Sequence, residues 1–233
     1  MNIDVKEFKN FGYFLIDLKE EQLSVVKNEI TEIQNNKDTA DSISKAVDGH
    51  VSGTYRLHKS ISNLESLVMP YFIDYDRHYN FIASNHNLFT DNVNIIMNDA
   101  WVSFQNKHEF NPAHRHPGLI SFVIWIDIPY TRKDEEKSSY GESKVNRAGA
   151  FTMYYNNSVG DIITEDILLD NNCNNKMILF PSKIKHSVSP FYSTDKTRVS
   201  VAGNFFFDTK QKDYNFSMWE NDELNHNLER NER

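Results

Sequence analysis

The sequence predicts an α+β protein, mainly β, in which helices near the N-terminus buttress one face of a β sandwich or barrel. Two observations predict it. Apolar residues recur at helical spacing only as far as Tyr79, and beyond Asn92 they fall into short β-type runs separated by turns rich in Gly, Pro and Asn. Helices first and strands later is the order expected when helices cover a single sheet face.

Taken in order, Phe11 to Leu18 is an apolar and aromatic run, predicted as a short buried strand. Leu23, Val26, Ile30 and Ile33 follow at helical spacing among Lys and Glu, which predicts an amphipathic helix. Asn35 to Ser60 is polar and punctuated by Gly, and reads as loop. Helical periodicity returns with Ile61, Leu64, Leu67 and Val68, then Tyr71, Phe72, Tyr75 and Tyr79. Pro70 lacks the N–H an interior helical position needs, so it is expected to kink that helix or to begin a second one. Strands are expected at Val93–Met97 running on into Trp101–Gln105, then at Ile120–Ile128, Ala150–Tyr155, Ile162–Leu169, Met177–Phe180 and Val199–Phe207. Thr131–Arg147 is charged and reads as a solvated connection. The tail from Thr209 is polar, as in a frayed or surface helix. The expected division is therefore 1–95 for the supporting strand and helices, 96–208 for the β core and 209–233 for the tail, all within one domain.

Composition excludes several classes. Among 233 residues Cys173 is the only cysteine, which rules out a disulfide scaffold and a cysteine-based zinc site and fits a reducing, cytoplasmic compartment, a host's if the source is viral. The start of the chain has no basic stretch leading into an apolar one, so no signal peptide is expected, and no window approaches the ~18 apolar residues that span a bilayer. A formal net charge of −8 disfavours nucleic acid and anionic membrane as partners. With 8 Gly and no phosphate-binding glycine motif, a nucleotide fold is not expected either.

Nine histidines are left to explain. His114 and His116 stand two apart in Asn111-Pro112-Ala113-His114-Arg115-His116-Pro117-Gly118, and in extended chain such residues project to the same side, where both can reach one metal ion. Taken alone, the pair reads more readily as two loop histidines on a turn. His186 follows the strand Met177–Phe180, and Arg198 opens the last apolar strand. A guanidinium buried there needs an anionic partner and is suited to clamp a carboxylate. His50, His58, His78, His86 and His226 lie in polar or helical contexts and read as surface or capping residues, and Arg56 as half of a surface salt bridge.

The set His186-Ser187-Val188-Ser189-Pro190, Arg198-Val199-Ser200 and Phe206-Phe207-Asp208, preceded by the His114/His116 pair, resembles the Fe(II)/2-oxoglutarate-dependent oxygenases. The likeness is to the prolyl-hydroxylase-like branch and its uncharacterised phage and bacterial members, and it covers roughly Asp99 to Asp208. It implies a double-stranded β-helix, or jelly roll, as the core. It implies Fe(II) held by His114, His116 and His186, with 2-oxoglutarate as cosubstrate and its far carboxylate on Arg198, helped by Ser200. The family's usual motif has Asp or Glu where His116 stands, so this site has one negative charge fewer, and His108 and Glu109 are the other nearby candidates for the position. On the strand that follows, Ser121, Val123 and Trp125 share a face that the resemblance turns toward the cosubstrate, with Trp125 at a place where a Tyr often helps bind the carboxylate. Trp101, Ser103 and Gln105 share a face of the preceding strand, which puts Ser103 and Gln105 within reach of the ligand.

The activity implied is hydroxylation of an unactivated C–H bond, with release of succinate and CO2. The substrate expected from that branch is a protein, peptide or amino-acid side chain such as proline. Two other classes fit a jelly roll with histidines: a binding or virion-associated structural protein, and a cupin-like isomerase, which has no use for Arg198.

Overall fold

In the computed structural model, residues 3–4, 10–86, 88, 93–138 and 144–208 are described. The readings of the tail 209–233 and of His226 fall outside them. Among these residues no helix is long and apolar enough to cross a membrane.

The elements run β1 (Phe14–Asp17), α1 (Ser24–Asn35), β2 (Gly53–Arg56), α2 (Ile61–Tyr79), α3 (Phe81–Asn85), β3 (Ile95–Gln105), β4 (Asn111–His114), β5 (Ile120–Asp127), α4 (Arg132–Lys137), β6 (Phe151–Asn156), β7 (Ile162–Ile167), β8 (Lys176–Pro181), β9 (Lys185–Val188) and β10 (Arg198–Phe207). They form a six-stranded sheet in the order β1-β8-β5-β10-β3-β2 and a four-stranded sheet in the order β4-β9-β6-β7. Every pairing is antiparallel. α1, α2 and α3 lie on the outer face of the larger sheet, and the smaller sheet covers its inner face, as a jelly roll requires.

β5 shows why its sequence is apolar without a break. Phe122 and Ile124 point into a core shared with Val26 and Ile30 of α1 and Leu64, Val68 and Phe72 of α2. Val123 and Trp125 point the other way, into a second core with Phe151 and Met153 of β6 and Phe180 of β8. A strand buried on both faces has no polar side to expose.

Four expectations change. The polar stretch 35–60 contains β2, which pairs with β3 from Gly53↔Phe104 to Arg56↔Trp101. Four residues held by a neighbouring strand need no periodicity of their own. α2 runs through Pro70 as one helix and ends at Asn80, in left-handed conformation at φ 50°. Its buried stripe, Leu64, Val68, Phe72 and Tyr75, lies on both sides of Pro70, and that packing outweighs the roughly 3 kcal/mol a mid-helix proline costs. The connection 131–147 is not wholly solvated. It holds α4, whose Thr131 cap accepts from the Asp134 N–H. Glu135 of α4 is fully buried, and its carboxylate accepts from the Tyr192 and Ser193 N–H groups at 2.9 Å each. The histidines, finally, do not merely flank strands: β4 and β9 carry His114 and His186 themselves.

Candidate metal centre and its cavity

β4 and β9 pair so that His114 sits directly opposite His186. His116 lies past the end of β4, tied down where its N–H donates to the Ser182 carbonyl at 3.0 Å. One ligand nitrogen from each of the three imidazoles falls within 4.8 Å of the other two. Among the described residues this is the one group of metal-binding side chains so placed. His108 and Glu109 are not in it. His108 packs against Tyr192 with ring centroids 5.4 Å apart, and Glu109 accepts from the Ser52 and Asn106 N–H groups at 3.0 and 2.8 Å, closing a turn.

Each imidazole is anchored through Nδ1 to an oxygen that can only accept. His114 Nδ1 donates to the Pro112 carbonyl at 2.8 Å, His116 Nδ1 to Asn204 Oδ1 at 3.1 Å and His186 Nδ1 to the Ile184 carbonyl at 3.2 Å. The proton is thereby fixed on Nδ1 and the Nε2 lone pair left free in all three rings, the tautomer that metal-bound histidines hold. Burial, then the neighbouring His114, pushes the His116 pKa down to about 4, and burial followed by His116 and His114 takes His186 down to about 3. Neutral imidazoles with their second nitrogen anchored are ligands that Fe(II) accepts, so these residues fit the metal the resemblance implied.

The centre opens into a cavity of about 320 Å³, the lower end of the range for small-ligand sites. Its floor is the inner face of β3 and β10, whose paired residues form four rungs, Arg198↔Gln105, Ser200↔Ser103, Ala202↔Trp101 and Asn204↔Asp99. All eight line the cavity. β5 adds Val123 and Trp125, and β2 adds Thr54 and Arg56. The expected faces of β3 and β5 are therefore the observed ones, with one correction. Ser121 has the right parity but is fully buried below the cavity surface, where Oγ donates to Asn204 Oδ1 at 2.7 Å. It supports the anchor of His116 and does not reach the space a cosubstrate would fill.

Arg198 also departs from expectation. It is 2% exposed, yet among the described residues it makes no ion pair. Nη1 donates to the Tyr130 hydroxyl at 2.7 Å and the Gly149 carbonyl at 3.1 Å, and Nη2 to Gln105 Oε1 at 2.6 Å and the Ser189 carbonyl at 3.0 Å. The Phe191 ring lies 5.4 Å away. Neutral acceptors satisfy the donors but leave the charge uncompensated, so this end of the cavity is built to attract an anion. Gln105, expected at the ligand, lines the cavity and also accepts from the guanidinium.

Asn204, Asp99 and Tyr130 were not singled out from sequence. Parity was the available signal for the first two, since Asn204 keeps step with Arg198 and Ser200, and Asp99 with Trp101 and Ser103. Of the residues read as incidental, His58 does pair with Asp41 at 2.9 Å. Arg56 lies 3.6 Å from the same carboxylate while also lining the cavity.

Residues 99–204, which span the whole centre and its floor, match a family model described as "Putative 2OG-Fe(II) oxygenase". Among solved structures, a Pseudomonas putida prolyl-4-hydroxylase aligns with TM-score 0.52 and 10% identity over 84% of this chain and 92% of its own, a likeness of fold. A viral collagen prolyl hydroxylase of Paramecium bursaria Chlorella virus-1 aligns at TM-score 0.46 and 12% identity, over 83% of this chain and 94% of its own. A Trichoplax adhaerens prolyl hydroxylase aligns at 0.48 and 13%, over 84% and 83%. No curated protein matches the sequence.

Proposed function

From the premise that residues 99–204 form the core of an Fe(II)- and 2-oxoglutarate-dependent oxygenase, we propose that the protein hydroxylates a side chain of an amino acid, peptide or protein. In this reading His114, His116 and His186 hold Fe(II) through Nε2, and Arg198 with Ser200 holds the far carboxylate of 2-oxoglutarate. The bound metal and cosubstrate supply the oxidising chemistry, consuming O2 and releasing succinate and CO2 as the substrate C–H bond is hydroxylated.

The chain's own contribution is orientation and charge. The three Nδ1 anchors fix the imidazole rings before any metal arrives, which lowers the ordering cost of binding. Arg198 offers a buried guanidinium on the cavity wall, with the Ser200 and Ser103 hydroxyls beside it on the next rung. Trp125 and Phe151, packed 6.1 Å apart, and Val123 make the rest of that end apolar, so a carboxylate entering it exchanges water for fixed donors in a low-dielectric site.

The observation that carries the reading is that three Nδ1-anchored imidazoles and an uncompensated buried arginine share one cavity. An isomerase centre has no need of the second. The experiment is succinate formation from 2-oxoglutarate by purified protein, with and without Fe(II), alongside direct binding of 2-oxoglutarate. Iron-dependent succinate supports the reading. Protein that neither binds nor turns over 2-oxoglutarate overturns it in favour of a binding or structural jelly roll.

A further inference from the structure

On the floor of the cavity a cation, Arg198, stands at one end and a carboxylate, Asp99, at the other, while the exposed Asp48, Arg56 and Arg115 also line the wall; of the floor pair only Arg198 has a part in the reading above. Asp99 stands in register with Asn204, six residues along β10 from Arg198, about 20 Å at ~3.4 Å per residue. His116 lies at this far end, hydrogen-bonded to Asn204 and edge-on to Trp101 with ring centroids 5.4 Å apart. His116 therefore lies on the aspartate side of the floor, away from Arg198.

Asp99 is half-buried and only partly satisfied. Oδ1 accepts one long side-chain hydrogen bond, 3.3 Å from Asn204 Nδ2, and the Asn204 backbone N–H also lies against the carboxylate, where an ionised carboxylate offers about four acceptor sites. Arg56 is near enough to draw the Asp99 pKa down, but the larger effect is burial, which raises it. The Arg56 guanidinium is turned to Asp41 at 3.6 Å and forms no ion pair with Asp99.

We propose that Asp99 is the substrate-recognition carboxylate, receiving a cationic group, an ammonium or guanidinium, carried by the molecule that is oxidised. This rests on the oxygenase reading and narrows its substrate class. Two charges of opposite sign at opposite ends sort the two ligands. A dianionic cosubstrate is drawn to Arg198 and repelled by Asp99, and a cationic substrate the reverse. A neutral substrate seated at this end would strip water from Asp99 and return nothing, whereas a cation forms charge-assisted hydrogen bonds there. Because the Asn204 amide touches both Asp99 and His116, filling the aspartate end is felt two hydrogen bonds away, at His116.

The test uses the full chain loaded with Co(II) and 2-oxoglutarate, reading the visible spectrum of the cobalt as probes are added. Three pairs each set a cationic probe against a neutral counterpart: acetyl-lysine amide against acetyl-norleucine amide, acetyl-arginine amide against acetyl-citrulline amide, and prolinamide against acetyl-prolinamide. They separate a side-chain ammonium, a guanidinium and a chain-terminal ammonium. In at least one pair the cationic member should bind roughly tenfold or more tightly, and Asp99→Asn should reduce that preference to within about twofold. Asp99→Ser repeats the measurement should the first variant fail to fold, as judged by its melting curve. Equal binding within every pair, or a preference that survives loss of the carboxylate, overturns the proposal. Wild-type protein that takes cobalt and 2-oxoglutarate but shows no preference removes only the role of Asp99. Protein that takes up neither removes the oxygenase reading, and this inference with it.

Discussion

His114 and His186 face each other across the β4–β9 ladder with ring centroids 4.4 Å apart, and each is oriented by a backbone carbonyl two residues before it. The strands thus aim these two imidazoles by the same means, and the His186 ring also packs on Phe151 and Phe180. His116, beyond the strand, is oriented by side chains instead, Asn204 Oδ1 at 3.1 Å and Ser121 Oγ at 3.3 Å.

That difference predicts unequal sensitivity to mutation. Asn204→Ala removes the nearer of the two oxygens beside His116 Nδ1, leaving the Ser121 hydroxyl at 3.3 Å, and loosens the ring, so divalent-metal affinity should fall roughly 10–100-fold, the usual cost of losing an outer-shell partner. His186→Ala removes a ligand and should cost more. Titration of the metal-free protein with Co(II) by calorimetry checks both. An affinity for the Asn204 variant equal to wild type would show that His116 is not held this way.

Arg198 predicts a separation of metal from cosubstrate. Arg198→Met removes the charge but keeps an unbranched apolar side chain, and should weaken 2-oxoglutarate binding by roughly a hundredfold while leaving Co(II) affinity within about twofold. Arg198→Lys should not restore binding, because an ammonium cannot serve Tyr130, Gly149, Gln105 and Ser189 from one plane. Equilibrium binding of 2-oxoglutarate to the cobalt-loaded variants measures it. A lysine variant that binds as wild type would point to a simple point-charge role.

How far the site could be read from sequence depended on what kind of signal each residue left. His114, His186 and Arg198 stand beside apolar runs, so their chemistry contrasted with their surroundings. Period-two alternation correctly turned Trp101, Ser103 and Gln105 inward together, and did the same for Val123 and Trp125. Parity says which face a side chain takes but not what covers it, which is why Ser121 was placed at the ligand and lies beneath His116 instead. β2, β4 and β9, at four residues each, are set by pairing with neighbours distant in the chain, and local pattern carries no trace of that. The neutral cage around Arg198 is likewise assembled from Tyr130, Gly149 and Ser189, each in a different connection.

The packing of α1 against α2 predicts a pH-dependent stability unrelated to the metal centre. Glu29 of α1 is buried at 6% exposure and accepts from the N–H groups of His58, Lys59 and Ser60 at 2.7, 2.9 and 2.8 Å, and from the Ser60 hydroxyl at 2.6 Å. Those donors lead into α2, so a carboxylate borrowed from another helix caps its start. Burial pulls the Glu29 pKa up, but the Ser60 hydroxyl and the three backbone donors together outweigh it and hold the pKa below the usual value. A carboxyl depressed in the folded state stabilises fully above its unfolded pKa, and that stability is lost as pH falls through the folded value. Glu29→Gln should cost about 1–3 kcal/mol at neutral pH and flatten the decline in acid. Urea unfolding between pH 7 and pH 3 tests this, and parallel pH profiles for the two proteins would show that another group sets the acid limb.

Gly203 predicts what happens when the floor of the cavity is forced apart. It lies between Ala202 and Asn204 on β10, its α-carbon facing away from the cavity, and pairs with Ala100 on one side and Phe122 on the other. A Cβ there would come within 2.7 Å of the Phe122 ring and 2.9 Å of the Asp99 carbonyl, and the second neighbour is backbone in a paired strand that cannot step aside. Gly203→Ala should therefore cost roughly 1–3 kcal/mol, the usual penalty of overpacking a core. The strain falls on the Asn204↔Asp99 rung, so it should also loosen the anchor of His116. A lower melting temperature together with a weaker Co(II) site is the expected result. A variant that loses stability but keeps full metal affinity would show that the rung is stiff enough to isolate the centre from its own sheet.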